Sequence, residues 1–172
     1  MLKKVFGSAV FGVDATTITV EVNVDKGIGY HLVGLPDNAI KESNFRIAAA
    51  LQNNGFKIPG KKLIINMSPA DLRKEGSAYD LTLALGILAA SDQIKSEELD
   101  KYIIMGELSL DGALQPIKGA LPIAIKAKEE GLIKDDLNDV YRKYFLGCSN
   151  THLNKLFYLL RDYASAGIGI SP

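Results

Sequence analysis

A serine stands in a glycine turn directly in front of an apolar helix, within residues 73–86, which read RKEGSAYDLTLALG. A serine hydroxyl becomes an effective nucleophile when a base lies within hydrogen-bond reach, and a lysine acts as that base when burial lowers its pKa. Ser77 is therefore the first candidate for covalent catalysis. The alternative is a structural role, in which Ser77 belongs to the turn or caps the helix together with Asp80, whose charge suits the positive helix end.

Nucleotide and metal chemistry have little support in the sequence. The chain contains no glycine loop ending in Gly-Lys-Ser or Gly-Lys-Thr, the pattern that holds phosphates and Mg²⁺ in nucleotide-hydrolysing motors. The glycines of KGIGYHLVG fall between extended segments and open no helix, which favours turns over phosphate binding. His31 and His152 are far apart and Cys148 is near only the second, which is too few ligands for a metal site. We predict no cofactor and no metal in this chain.

Positive and negative side chains are balanced, with 20 Lys plus Arg and 20 Asp plus Glu. A molecule without net charge has no long-range field to attract phosphate backbones or acidic membranes, so any DNA contact is expected to be local and weak. Arg73, Lys74 and Glu75 lie on the loop before the apolar helix. Such a loop is either solvated or in contact with a partner, and we keep these three residues and Asp80 as candidate partner-contact residues.

The sequence carries no signal for a membrane or for secretion. No segment approaches the roughly 18 apolar residues of a membrane span. The apolar run near the N-terminus is broken by Gly7, Ser8 and Gly12 and is too short for the core of a signal peptide. The single cysteine excludes an internal disulfide and suits a reducing compartment. We predict a cytoplasmic protein that makes no membrane contact.

The elements that must position these residues begin with strands. Residues 9–27 alternate branched with polar side chains, which indicates strand structure with one buried face, and residues 29–35 follow as a third strand, so we predict an antiparallel meander. Residues 61–67 predict a short buried strand. Residues 102–110 and the Asp-Gly turn after them predict a strand that runs into a hairpin, and a further strand is predicted at residues 141–149.

Helices are predicted at four places. The first begins at the N-cap Asp37 and ends at Asn54 and Gly55, with Ile40, Ile47, Ala48 and Leu51 on one face. The second, residues 80–91, is apolar on nearly every side, so it must be covered on more than one face. The third carries Pro122 in its first turn and ends at Gly131. The fourth spans residues 151–164.

Three phrases in this order resemble a known family: HLVGLPDNAIKESNFRIAAALQNNGF, INMSPADLRKEGSAYDLTLALGILAAS and IIMGELSLDGALQPIKGALPIAIKAKEEG. They look like the N-terminal, ChlI-like domain of the Mg-chelatase-like AAA+ family, competence-protein (ComM, YifB) type. That domain is similar to the proteolytic domain of Lon protease. The resemblance therefore implies an α/β (α+β) fold of the Lon-protease-like, ribosomal S5 domain 2-like class, in which a mixed sheet packs against several helices.

The resemblance also implies how the chain is divided. It covers residues 1–133 and fades over residues 134–165, which we assign to the same single domain. Residues 166–172 are expected to be a tail or a truncated linker.

The resemblance bears directly on Ser77, because Lon-type proteases use a serine and a lysine. When the Lon-type serine motif is aligned with KEGSAYD, its serine falls at Ala78. When the lysine motif is aligned with GELSLDGALQPIKGAL, its lysine falls at Leu121. Both catalytic positions are thus apolar, and a rearranged pair of Ser77 and Lys118 is the disfavoured alternative. A lost dyad should leave no unpaired polar group, so we expect Leu121 to lean toward Ala78 in an apolar contact without a polar cleft.

The function implied by the resemblance is that of a non-catalytic accessory or assembly domain of a Mg-chelatase-like AAA+ ATPase, linked in the ComM branch to DNA branch migration and natural transformation. The ATPase module, in cis or in trans, would bind ATP and Mg²⁺. The full-length protein is expected to be a homo-oligomer, a hexamer. A diverged serine peptidase is one alternative, which requires Ser77 to react with a fluorophosphonate, and a DNA-binding module is another, which requires a clustered basic face.

Overall fold

A four-stranded mixed sheet forms the framework of the described part of the chain. The computed structural model describes residues 1–95, 97 and 99–131. The sheet consists of β1 (Leu2–Phe11), β2 (Asp14–Asp25), β3 (Gly29–Val33) and β4 (Lys62–Ser68), in the spatial order β1-β2-β4-β3. The strand predicted at 141–149, the helix predicted at 151–164 and the predicted divisions after residues 133 and 165 lie outside the described residues.

The first two strands form the hairpin that their alternating pattern predicts. They pair antiparallel from Leu2 opposite Asn23 to Phe11 opposite Asp14. Along β2 every second side chain enters the core, so that Ile18, Val20 and Val22 are completely buried.

The predicted meander is wrong at β3. This strand does not pair with β2, because β4 lies between them, antiparallel to β2 and parallel to β3. The helix α1 (Asn38–Asn53) connects β3 to β4, and a crossover helix of this kind joins parallel strands. The alternation of side chains shows which face of a strand is buried, but it does not identify the neighbouring strand.

The two helices that follow the predictions most closely are α1 and α2 (Asp80–Ala90). Asp37 caps α1 by accepting a hydrogen bond from the Ile40 amide at 2.8 Å, and Asn54 ends it. Every residue of α2 is buried. The helix packs against β1, β2 and α1, which explains why it is apolar all round.

The last described elements are a small hairpin and a helix. β5 (Glu107–Leu108) and β6 (Leu114–Gln115) pair antiparallel across the predicted Asp-Gly turn, but the strand predicted from residue 102 is reduced to a single bridge between Phe6 and Ile103 before β5. α3 (Ala120–Glu129) ends before Gly131, as predicted. The mixed sheet with its helices confirms the predicted α+β class, and among the described residues no helix is long and apolar enough to cross a bilayer.

Candidate functional site

The end of β1, the loop before α2 and the start of α3 meet around a cavity of about 350 Å³. This is the region where the sequence predicted a lost catalytic pair. The structure brings Ala78 and Lys118 to the same cavity, although 40 residues separate them along the chain. Val10, Met105 and Ile123 supply much of the apolar wall.

Leu121 does not take part in this cavity, and the predicted apolar contact with Ala78 is wrong. The Leu121 side chain is 65% exposed. The reason is the helical period, because α3 turns Ile123, Ala124 and Ala127 inward, and a residue two positions before Ile123 then lies on the opposite face. The cavity has charged residues on its wall, so the expected absence of a polar cleft is also wrong.

Ser77 bonds to a residue other than Lys118. It begins a 3₁₀ turn, Ser77–Tyr79, which leads directly into α2, so its predicted place in the turn is confirmed, whereas the alternative of a helix cap is wrong. The Ser77 hydroxyl donates a hydrogen bond to the Glu107 carboxylate. Ser77 is not among the residues that line the cavity with Lys118. The structure shows no hydrogen bond between Ser77 and Lys118, the alternative pair.

Asp80 is buried, and its carboxylate joins three elements. Arg46 of α1 donates from Nε to Oδ2 at 2.7 Å and from Nη2 to Oδ1 at 2.9 Å, and the Leu108 amide of β5 donates to Oδ2 at 3.2 Å. Burial raises the pKa of Asp80, and the Arg46 hydrogen bonds oppose that rise. The prediction of Asp80 as a partner-contact residue is thus wrong, because the side chain is fully enclosed and already paired.

Lys74 is also buried, which removes it from the predicted contact surface. Its Nζ donates to the carbonyl oxygens of Gly34, at 2.7 Å, and of Pro69. Burial lowers the pKa of this lysine. The main chain of Lys74 bonds to Leu35 and Asp37, so the residue ties the loop before α2 to the loop after β3. No local pattern in the sequence distinguishes this lysine from its exposed neighbours.

Arg73 and Glu75 remain accessible. Their side chains are 72% and 63% exposed and form an ion pair with 2.9 Å between Arg73 Nε and Glu75 Oε1. Both residues line the cavity beside Ala78. Of the four candidate contact residues, only these two can reach a partner in this conformation.

The described residues show no prearranged metal site, and the absence of a cofactor stays a prediction. They contain no group of three or more His, Cys, Asp or Glu side chains placed to hold a metal. Gly34 has a φ of 99°, and a Cβ there would lie 2.1 Å from the Met67 carbonyl oxygen. This glycine is therefore required by the close approach of two chain segments, in the loop that leads from β3 to α1, where the Asp37 carboxylate already caps the helix.

Comparison with known proteins identifies relatives of this arrangement. Residues 20–134 match the family described as "Subunit ChlI of Mg-chelatase". The chain is 44% identical over 137 residues to the Escherichia coli protein YifB, and this match covers 77% of the chain and 27% of YifB. It is 42% identical over 126 residues to the competence protein ComM of Haemophilus influenzae, with 73% of the chain and 25% of ComM covered. A Mycobacterium bovis protein, Mb2921c, is 42% identical over 131 residues, which cover 76% of the chain and 26% of that protein.

Proposed function

Since the chain belongs to the Mg-chelatase ChlI-subunit family, we propose that it is a non-catalytic accessory or assembly domain of a Mg-chelatase-like AAA+ ATPase. We assign it to the Lon-protease-like, ribosomal S5 domain 2-like fold. The mixed sheet and the turn that precedes a buried helix support this assignment.

The non-catalytic part of the proposal rests on the residues found at the predicted serine and lysine positions. The position of the catalytic serine holds Ala78, which has no nucleophile. The nearby hydroxyl of Ser77 is bonded to Glu107, and Lys118 lies on the cavity that Ser77 does not line. Serine chemistry needs the nucleophile and its base within hydrogen-bond reach, and the bond of Ser77 to Glu107 supports the proposal over the alternative of a diverged peptidase.

The ATPase part of the proposal assigns ATP and Mg²⁺ to a module outside this chain. The sequence has no phosphate loop, and the described residues offer no metal-binding cluster. The chain spans about a quarter of the length of the relatives it matches, at 27% of YifB and 25% of ComM. We propose that the motor is supplied in cis or in trans, that the assembly is a homo-oligomeric ring, a hexamer, and that it works in the cytoplasm.

The name of the Haemophilus influenzae relative, competence protein ComM, directs the proposal toward natural transformation. We propose that this chain serves an ATPase of DNA branch migration through contacts with the motor. Its formal net charge of zero supports only weak direct contact with DNA, which disfavours the alternative of a DNA-binding module.

The experiment replaces the matched segment of Haemophilus influenzae ComM with the aligned residues of this chain and measures transformation frequency. The chimera should transform at the level of unmodified ComM. Replacing both Arg73 and Glu75 by Ala should lower the frequency if this exposed pair contacts the motor. The matched control removes another ion pair, Lys4 and Glu21, whose charged atoms lie 3.2 Å apart and whose side chains are 56% and 28% exposed, and it should leave transformation unchanged. A chimera that accumulates normally but does not transform would contradict the proposal.

A further inference from the structure

Among the described residues, one positive charge on the wall of the cavity beside Ala78 has no partner. Arg73 on its wall is neutralised by its ion pair with Glu75. Lys118, which lines the same cavity, makes no hydrogen bond or ion pair with any other described residue. The described charges of the wall therefore sum to a single uncompensated ammonium group. A ligand that complements this wall has to bring one negative charge.

Most of the remaining wall is apolar. Val10 of β1, Met105 and Ile123 of α3 surround the space, together with the Ala78 side chain. The nearest hydroxyl groups are already engaged, because Tyr79 donates to the Ser8 carbonyl oxygen at 2.9 Å and Ser8 donates to the Thr16 carbonyl oxygen at 3.3 Å. The cavity therefore offers a ligand apolar contact and one cation.

We propose that this cavity binds a molecule that combines a compact apolar group with a single carboxylate, and that Lys118 pairs with the carboxylate. The volume of about 350 Å³ lies at the lower end of the range for small-molecule sites and suits one aromatic or branched side chain with its acid group. The carboxyl terminus of a protein that ends in an apolar residue has this chemistry, and so has a free apolar acid. The inference stands on the cavity alone and does not depend on the proposed accessory function.

Methionine methyl groups provide the readout on the full chain. The sequence contains three methionines. Met105 lines the cavity, Met67 is completely buried in the core, and Met1 is 48% exposed at the N-terminus. With ¹³C-labelled methionine methyls, a ligand in the cavity should shift the Met105 resonance and leave those of Met67 and Met1 in place.

The probes differ in charge and not in shape. N-acetylphenylalanine carries the carboxylate, and its primary amide has the same body without the charge. We expect the acid to bind about tenfold more tightly than the amide, because a charge-assisted pair is stronger than a neutral hydrogen bond. Added salt should weaken binding of the acid and leave that of the amide unchanged.

Two lysine variants test whether the Lys118 charge is responsible for the tighter binding of the acid. Lys118→Gln should lower the affinity for the acid to that for the amide. Lys128→Gln removes an exposed lysine from the last turn of α3, away from the cavity wall, and should change neither affinity. Both side chains are exposed, so neither change threatens folding.

The two sources of the ligand are distinguished by a second pair of probes. A tetrapeptide that ends in a free phenylalanine should bind more tightly than octanoate if the site takes protein carboxyl termini, whereas octanoate should match the peptide if the site takes free acids. The inference is overturned if the acid and the amide shift Met105 with equal affinity, if Met105 does not respond, or if Lys118→Gln has no effect. Cleavage of the peptide, monitored by mass spectrometry, would count against the non-catalytic function and not against the cavity.

Discussion

At the scale of single residues, the ion pair of Arg46 and Asp80 is the electrostatic centre of the fold. Asp80 is completely enclosed, while the Arg46 side chain is 24% exposed. A buried pair adds little net stability over an apolar replacement, but removing one partner leaves a buried charge uncompensated. The aspartate at the start of α2 therefore has a structural role, since its carboxylate connects α1, α2 and β5.

Replacing Arg46 by Met should lower the free energy of unfolding by about 3–5 kcal/mol near neutral pH, measured by urea denaturation. The loss should shrink as the pH falls, because the unpaired Asp80 has a native pKa above that of the unfolded chain and becomes neutral by taking up a proton. The control Lys126→Met breaks the partly exposed pairs with Glu129 and Glu130 at the end of α3 and should cost less than about 1 kcal/mol. An equally large loss at all pH values would show that the Asp80 charge is not the cause.

At the scale of elements, the close contact between α2 and the sheet decides the fold. Gly86 lies in the middle of α2, where a Cβ would stand 2.7 Å from Val22 Cγ2 and 3.3 Å from Val5 Cγ2. Both valines are completely buried and β-branched, so they cannot move aside freely. The glycine allows the helix to approach β1 and β2 more closely than a side chain would permit.

Helix propensity and packing make opposite predictions for Gly86→Ala. Propensity alone favours alanine by about 1 kcal/mol, whereas overpacking of a core costs about 1–3 kcal/mol. We expect packing to dominate, so the variant should unfold at lower urea concentration than the wild type. Combining it with Val22→Ala should cost less than the sum of the two single changes, because the smaller side chain makes room for the new methyl group. Additive losses would refute the proposed contact.

The sequence patterns predicted the elements that neighbouring residues determine. They did not predict how distant segments of the chain pair. The Asp37 cap, the buried α2 and the turn before β6 all follow from residues within one or two turns of chain. The insertion of β4 between β2 and β3 depends on a crossover that no single segment encodes. The same limit applies to the candidate site. Ala78 lines a cavity with Lys118 and not with Leu121, the predicted partner, because the outward direction of Leu121 and the burial of Lys74 are set by tertiary packing.

At the scale of the whole molecule, charge and composition limit what the isolated chain can bind. The formal net charge is zero and the sequence contains no phosphate loop. We expect no ATP binding by calorimetry and only weak duplex DNA binding that is lost steeply with added salt. Tight DNA binding that persists at high salt would instead favour the DNA-binding module.

The measurement that tests the central claim most directly is hydrolysis by the purified chain. Casein and fluorogenic peptides should remain intact with or without ATP, and a fluorophosphonate probe should not label Ser77, because Ala78 occupies the nucleophile position and the Ser77 hydroxyl is bonded to Glu107. Peptide turnover that disappears in Ser77→Ala and in Lys118→Gln, but persists in the control Lys128→Gln, would contradict the account and establish a peptidase.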